Sequence, residues 1–233
     1  MDDGDREAGL SAVASLAEPT RRRLYDHVAR SPAPLSRDEV AGATDVPRAT
    51  AAFHLDRLVA EGLLAVSFER RSGRTGPGAG RPAKLYSRAD SSIEVSVPER
   101  HYDLAGELLA AALDRAEEAG ISPRVVLGRE AYRRGRDLGA DARESADAAA
   151  DGADVVLDVL EEQGFEPRSE DQCVSLVNCP FHDLARKHTE LVCGMNLRLL
   201  EGVLDGVGDV GLSARLEPAP GHCCVRMRPT SPD

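Results

Sequence analysis

Apolar positions recur at helical spacing near the start of the chain, and turn residues divide them into separate elements. The spacing of Leu10, Val13 and Leu16 predicts an amphipathic helix. Ser36, with Glu39 three residues later, has the capping-box pattern that begins a further helix. The chain therefore opens with a small helical subdomain.

The next helical segment has two different faces. Pro47 opens it and Gly62 ends it, and Ala51, Leu55 and Leu58 share the side predicted to pack inward. The opposite side is predicted to carry Thr50, Phe53, His54 and Arg57. A recognition helix needs this division, because its core side fixes its angle while its polar side meets base edges and phosphates in the major groove.

Two strand-like runs, LLAVSFERR and AKLYSR, then flank the glycine-rich basic loop RSGRTGPGAGRP. A helix, a turn, a second helix and a two-stranded basic wing form the pattern of a winged helix-turn-helix. The additional candidate DNA contacts are the basic residues of the helix start and the wing: Arg48, Arg70, Arg71, Arg74, Arg81 and Lys84.

Charge supports a nucleic-acid partner, although the whole chain has a formal net charge of −11. From Val46 to Arg88 the basic residues outnumber the acidic ones, and the chain beyond this segment is acidic. A basic patch on an acidic chain is typical of a binding surface for double-stranded DNA.

The first ninety residues resemble the ArsR-type winged-helix regulators of actinobacteria. The pieces HLDRLVAEGLL and GRPAKLY carry most of the likeness. The resemblance implies a homodimer that binds an inverted-repeat operator with one recognition helix per half-site. The metal-site motif common on the early helices of that family is absent, since no cysteine precedes Cys173.

Beyond this domain the pattern changes. Residues 90–100 contain few core positions and predict a boundary, followed by an apolar-striped helix over 101–120 whose Leu104, Leu108 and Ala112 are expected to form the dimer contact. Further helices and two strand pairs complete an α+β pattern. The predicted fold is an N-terminal winged helix-turn-helix at 1–90, a linker and dimerisation helix at 91–122, and an α+β sensor domain at 123–233.

Five cysteines are confined to the last sixty or so residues, and none forms a CxxC pair. Cys179 lies at a predicted junction between a strand and a helix, where unpaired amides favour the thiolate that binds metal. Cys193 lies within an apolar helical pattern. Cys223 and Cys224 are predicted to lie in a strand, so that their side chains point to opposite faces.

These residues allow more than one interpretation. Thiolates gathered from separate elements suit an iron–sulfur cluster, or Zn²⁺ as the alternative metal. Free cysteine is also among the most buried residue types, which would make these residues simple core. A nucleophilic cysteine beside a histidine would indicate an enzyme, but no orienting group accompanies such a pair, so we predict that the protein is not an enzyme.

The segments NCPF, LVCGMN and PGHCCVRM resemble the C-terminal domain of iron–sulfur-sensing repressors of the SUF-operon type. That resemblance implies a cluster held by three spaced cysteines. Cys179 matches the first ligand, Cys193 the second, and either Cys223 or Cys224 the third. The fourth ligand stays open among several residues: Cys173, His182, His188 and His222.

The sequence thus predicts a cytoplasmic, homodimeric transcriptional regulator, with no membrane segment, whose C-terminal domain senses iron–sulfur or redox status. The alternative is a winged-helix regulator with a cavity for a small-molecule effector and no metal. Cytoplasmic thiols are normally reduced, which makes disulfides the less expected use of these cysteines.

Overall fold

The computed structural model describes residues 3–69, 82–170 and 173–230. The fold is α+β, as predicted, with a helix-turn-helix domain first. The chain divides into two compact units, Met1–Val95 and Ser96–Asp233.

The first unit combines helices with a small antiparallel sheet in the strand order β1-β3-β2. Its described elements are α1 (Asp3–Ser15), α2 (Pro19–Ala29), β1 (Leu35–Ser36), α3 (Arg37–Thr44), α4 (Arg48–Ala60), β2 (Leu64–Glu69) and β3 (Ala83–Arg88). The predicted capping box is present, because the Ser36 side chain accepts from the Glu39 amide while Glu39 accepts from the Ser36 amide. Leu24, Leu55 and Leu58 are fully buried at its centre.

The second unit packs helices against a four-stranded antiparallel sheet in the order β4-β5-β7-β6. Its described helices are α5 (Tyr102–Ala119), α6 (Pro123–Ser145), α7 (Gly152–Glu162), α8 (His182–Lys187) and α9 (Thr189–Val207). Its described strands are β4 (Pro167–Glu170), β5 (Cys173–Leu176), β6 (Leu212–Leu216) and β7 (Val225–Pro229). One apolar core runs through it, with Leu160, Leu199 and Val225 buried.

Glycines let α6 and α9 approach until their backbones touch. A Cβ added at Gly135 would overlap the carbonyl oxygen of Leu199, and one at Gly202 would overlap the carbonyl oxygen of Tyr132. Gly139 and Gly206 repeat the arrangement one turn further along each helix. The two glycine pairs therefore set the distance between the central helices of this unit.

The apolar stripe predicted to form the dimer contact faces the core of its own chain. Leu104, Leu108 and Ala112 on α5 are buried in the core of their own chain, where α5 packs against α6. The stripe was misread because an apolar helix face looks the same in sequence whether it meets a second chain or its own next helix. The segment predicted at 91–122 is thus divided: residues up to Val95 join the first unit, and α5 is part of the second.

Among the described residues, each helix is too short or too polar to span a bilayer.

Candidate functional site

The first candidate site is the outward face of α4. Ala51 and Leu55 are fully buried against the rest of the first unit, as predicted from their spacing. Thr50 and Arg57 are exposed on the other side, and Phe53 is 66% exposed. An exposed aromatic ring beside a hydroxyl and a guanidinium forms a surface that can meet the edges of bases.

His54 does not belong to this outward face. It is buried, and its Nδ1 accepts from Arg21 Nε at 3.4 Å, while its Nε2 lies 3.6 Å from a Glu18 carboxylate oxygen. The prediction was wrong because position 54 is three residues after Ala51 and four before Leu58, which extends the core stripe. His54 joins α4 to the start of α2 instead of pointing toward DNA.

Each predicted DNA-contacting cation in the described residues has an acidic neighbour. The ion pairs join Arg48 to Asp38 at 2.8 Å, Arg57 to Glu61, and Lys84 to Asp56 at 2.5 Å. The hydrogen bond from Lys84 lowers the pKa of Asp56, and the same contact raises the pKa of Lys84. The predicted wing arginines Arg70, Arg71, Arg74 and Arg81 lie outside the described residues.

We expect Asp56→Asn to strengthen binding to random-sequence duplex DNA. The change removes a negative charge beside the wing and frees Lys84 to meet a phosphate, so the dependence of affinity on salt should steepen by roughly one unit. Fluorescence anisotropy across a salt series measures both effects. Asp114→Asn on α5 makes the same change in net charge in the second unit, and equal slopes for the two variants would show that Lys84 contacts no phosphate.

The second candidate site is the region where cysteines from separate segments meet. Cys179 lies between β5 and α8, and its sulfur accepts hydrogen bonds from the Cys223 thiol and the Phe181 amide. The Cys223 amide donates to the Leu176 carbonyl at 2.8 Å, which fixes this loop on the end of β5. The two thiols are buried side by side.

Cys193 and Cys224 form the other half of the cluster. They are joined as a disulfide that links α9 to the loop before β7, with Cα atoms 6.3 Å apart. Cys223 and Cys224 precede β7 and do not lie in it, so their predicted place in the strand is wrong, but burial still alternates, with Cys223 buried like Val225 and Cys224 half-buried. Asn196, one turn after Cys193 on α9, donates to Cys223 Sγ at 3.2 Å, so α9 contacts both consecutive cysteines.

Electrostatics distinguish the two free thiols. The hydrogen bond from Cys223 lowers the pKa of Cys179 most, and the Phe181 amide and the Arg100 charge add to that effect against the opposing effect of burial. The same contact and burial raise the pKa of Cys223 well above its usual range. The contact between the two thiols thus favours the thiolate form at Cys179 over that at Cys223.

The remaining ligand candidates lie apart from these contacts. Cys173 on β5 accepts from Arg228 Nη1 at 3.2 Å, and His182, His188 and His222 are exposed. Across residues 3–69, 82–170 and 173–230, no three histidine, cysteine or acidic side chains stand in an arrangement that could hold a metal ion.

Sequence reasoning missed the polar residues around the cysteines. Asn196 is fully buried, and among the described residues its Oδ1 has no hydrogen-bond partner. Asn178, directly before Cys179, is also buried and receives a hydrogen bond from Arg100 at 2.5 Å. A signal was present, since an asparagine within an apolar helical pattern is costly to bury without a partner.

Comparison with known proteins gives one match. Residues 16–67 match the model of a helix-turn-helix domain family. No curated protein and no solved structure matches the chain. The match supports a DNA-binding transcriptional regulator and is confined to the first unit, so the resemblance of the C-terminal part to SUF-type repressors gains no support from it.

Proposed function

We propose that the protein is a homodimeric, DNA-binding transcriptional regulator whose second unit senses iron–sulfur or redox status through its cysteines. The observation that carries the sensing role is that Cys179 contacts Cys223 while Cys193 is joined to the neighbouring Cys224, with the buried Asn196 donating to Cys223. DNA binding rests on the helix-turn-helix match and on the exposed face of α4. A regulator that binds chromosomal DNA would be located in the cytoplasm.

A dimer would present two α4 helices to the two half-sites of an inverted repeat, each in one major groove. Thr50, Phe53 and Arg57 would reach base edges, while the wing would follow the phosphates. Arg57 and Arg48 would exchange their present carboxylate partners for the more strongly negative duplex. The acids Asp38 and Glu61 would then weaken binding to DNA that offers no base contacts in return.

Thr50→Val and Arg57→Gln should each lower affinity for an operator more than for random DNA. A good pair between a side chain and a base contributes about 1–3 kcal/mol of discrimination, so operator affinity should fall by roughly five- to 150-fold. The operator is obtained by selection from random duplexes, and affinities are compared at one salt concentration. Arg215→Gln, on β6, removes the same charge outside the winged unit. Equal losses on both DNAs would reduce Thr50 and Arg57 to phosphate contacts.

The cysteines have the chemistry that an iron–sulfur cluster requires. Thiolate sulfur is the usual ligand of such clusters, and here it is offered by three separate segments of the chain. Beside Cys223, the buried Oδ1 of Asn196 has no hydrogen-bond partner among the described residues. With the Cys193–Cys224 disulfide reduced, the residues that would hold a cluster are Cys179, Cys193, Cys223 and Cys224.

A bound cluster would supply one-electron redox chemistry and sensitivity to oxidants. The protein's own residues prepare the ligands for it. The Cys223 thiol, the Phe181 amide and Arg100 stabilise the Cys179 thiolate, and the Asn196 amide fixes the position of Cys223 Sγ. Reduction of the disulfide would release two more sulfurs at the same place.

Iron, zinc and sulfide analysis with an absorption spectrum, on protein purified without oxygen, tests the proposal. Iron and sulfide in equal amounts with visible absorption would support a cluster. Zinc alone would replace it with a thiolate zinc site. Colourless protein that lacks both metals after reduction of the disulfide would refute the metal-sensing role.

A small-molecule effector is the second candidate, favoured by one groove in the second unit. The groove has a volume of about 340 Å³ and lies between α6 and α9, with an apolar floor that includes Leu127 and Met195. Arg124, Arg129 and Arg198 line it, which would suit an effector that carries a carboxylate or phosphate. The small-molecule effector would be favoured if metal-free protein changed its operator affinity when such anions are added.

A further inference from the structure

The segment that enters the second unit is fastened to the turn that carries Cys179. Residues 96–101 continue the chain directly from the winged unit, which ends at Val95, and lead into α5. The His101 amide donates to the Pro180 carbonyl at 3.2 Å. The chain therefore enters the second unit through a segment that is hydrogen-bonded to the turn carrying Cys179, the residue proposed to sense.

Asn178 is the centre of this attachment. Its Nδ2 donates to the Glu99 carbonyl at 3.1 Å and to the Gly164 carbonyl at 2.5 Å, while its Oδ1 accepts from Arg100 Nη1 at 2.5 Å. Both donors and the oxygen of this buried amide are therefore engaged, and they join residues 99 and 100 to Gly164 within the second unit.

The segment also contacts Gly164. Gly164 has φ +72°, and a Cβ there would lie 3.0 Å from Glu99 Cγ and 3.2 Å from His101 Cδ2. Within the segment, the Arg100 amide donates to Ser96 Oγ at 2.8 Å, and His101 Nε2 lies 3.1 Å from Glu99 Oε1. Because interiors are close-packed, a shift at residues 178–180 would disturb these contacts.

We infer that Asn178 and Arg100 are positioning residues that transmit the chemical state of Cys179 to residues 96–101, and so to the winged unit. Cys179 is the neighbour of Asn178, and its sulfur also holds the Phe181 amide. Any group bound to that sulfur competes with this hydrogen bond and moves the turn on which Asn178 lies. The inference rests on the proposed sensing role of the cysteines, but it needs no particular metal.

The first test uses hydrogen exchange in metal-free, reduced, full-length protein. Methyl methanethiosulfonate transfers a methylthio group to the Cys179 thiolate and releases methanesulfinate, and mass spectrometry of peptides covering 96–102 follows their amides. In the parent, modification should speed exchange about tenfold, the effect of losing roughly one hydrogen bond. Cys179→Ala, which offers no sulfur at this position, should not respond.

Substitutions then separate transmission from folding. Asn178→Ala and Arg100→Gln should make exchange at 96–102 fast before modification and unchanged after it. Arg143→Gln is the matched control, since Arg143 also binds main-chain carbonyls, those of Ala150 and Asp147, but away from this segment. That variant should behave like the parent. If Asn178→Ala fails to fold, the exchange measured in Arg100→Gln alone tests the inference.

The functional readout is the ratio of affinities for a selected operator duplex before and after modification. The parent ratio should differ from one, and Arg100→Gln should bring it to one while DNA binding itself remains. The inference would be overturned if modification of Cys179 did not change exchange at 96–102. It would also be overturned if Asn178→Ala and Arg100→Gln both kept the affinity ratio of the parent. A protein that binds no iron but shows the predicted exchange response would support the inference and refute only the cluster.

Discussion

Gly202→Ala is expected to destabilise the second unit by several kcal/mol. The added methyl group would overlap the Tyr132 carbonyl oxygen on the facing helix, and a backbone atom cannot rotate away as the end of a side chain can. The helices α6 and α9 would have to separate, which disturbs the core that includes Leu199 and Leu200. Overpacking of a close-packed interior usually costs about 1–3 kcal/mol, and a clash with backbone belongs at or above the upper end.

Denaturant unfolding followed by circular dichroism measures this loss, and the chain provides a control on the same helix. Gly194 of α9 has open space where a Cβ would lie, so Gly194→Ala should stabilise the helix by up to about 1 kcal/mol. On α6, Gly135→Ala should behave like Gly202→Ala, whereas Gly128→Ala should be mild, since its Cβ would meet only Arg198 Cγ at 3.5 Å. If Gly202→Ala and Gly194→Ala unfold alike, the two helices do not depend on this contact.

The winged unit was predictable because its signals are local. The capping box of Ser36 and Glu39 is made within four residues, and Gly62 adopts φ +70° just beyond the end of α4. The inward stripe of Ala51, Leu55 and Leu58 follows from the helical repeat alone. Elements defined by neighbours in sequence can be derived without knowing what lies across from them.

The errors concern what each element faces. His54 borders the core stripe, and only its contacts with Arg21 and Glu18 decide that it turns inward. The stripe of α5 would be apolar whether it packed against a second chain or within its own, and in the structure it packs within its own chain. The contact of Cys179 with Cys223 joins positions 44 residues apart, and only the family resemblance, not the hydrophobic pattern, predicted that they come together.

The charges of the winged unit act on operator and random DNA alike. The paired carboxylates oppose phosphate contacts on either DNA, while base contacts from Thr50 or Arg57 are gained only at a matching sequence. The carboxylates therefore lower both affinities by a similar factor, and discrimination rests on the base contacts. Asp56→Asn should raise affinity for random DNA and for the operator together and leave their ratio nearly unchanged.

The cysteines give the other large expected effect. In reduced protein purified without oxygen, serine substitution at Cys179 or Cys193 should remove most of the iron and visible absorption, because an alkoxide is a poorer partner for iron than a thiolate. Cys173→Ser is the matched control, since its sulfur contacts Arg228 and lies outside the contacts that join the other cysteines.

The same measurement bears on the consecutive pair at 223 and 224. The sequence predicted a sharp difference between them from their alternation in a strand, but both precede β7, and each contacts one of the other two cysteines. We therefore expect Cys223→Ser and Cys224→Ser both to lose most of the iron. Peptide mass mapping of the oxidised, metal-free parent should show Cys193 joined to Cys224, with Cys179 and Cys223 free. If all four serine variants load iron as the parent does, these cysteines pack the core and the sensing role must lie elsewhere, with the arginine-lined groove as the next site to test.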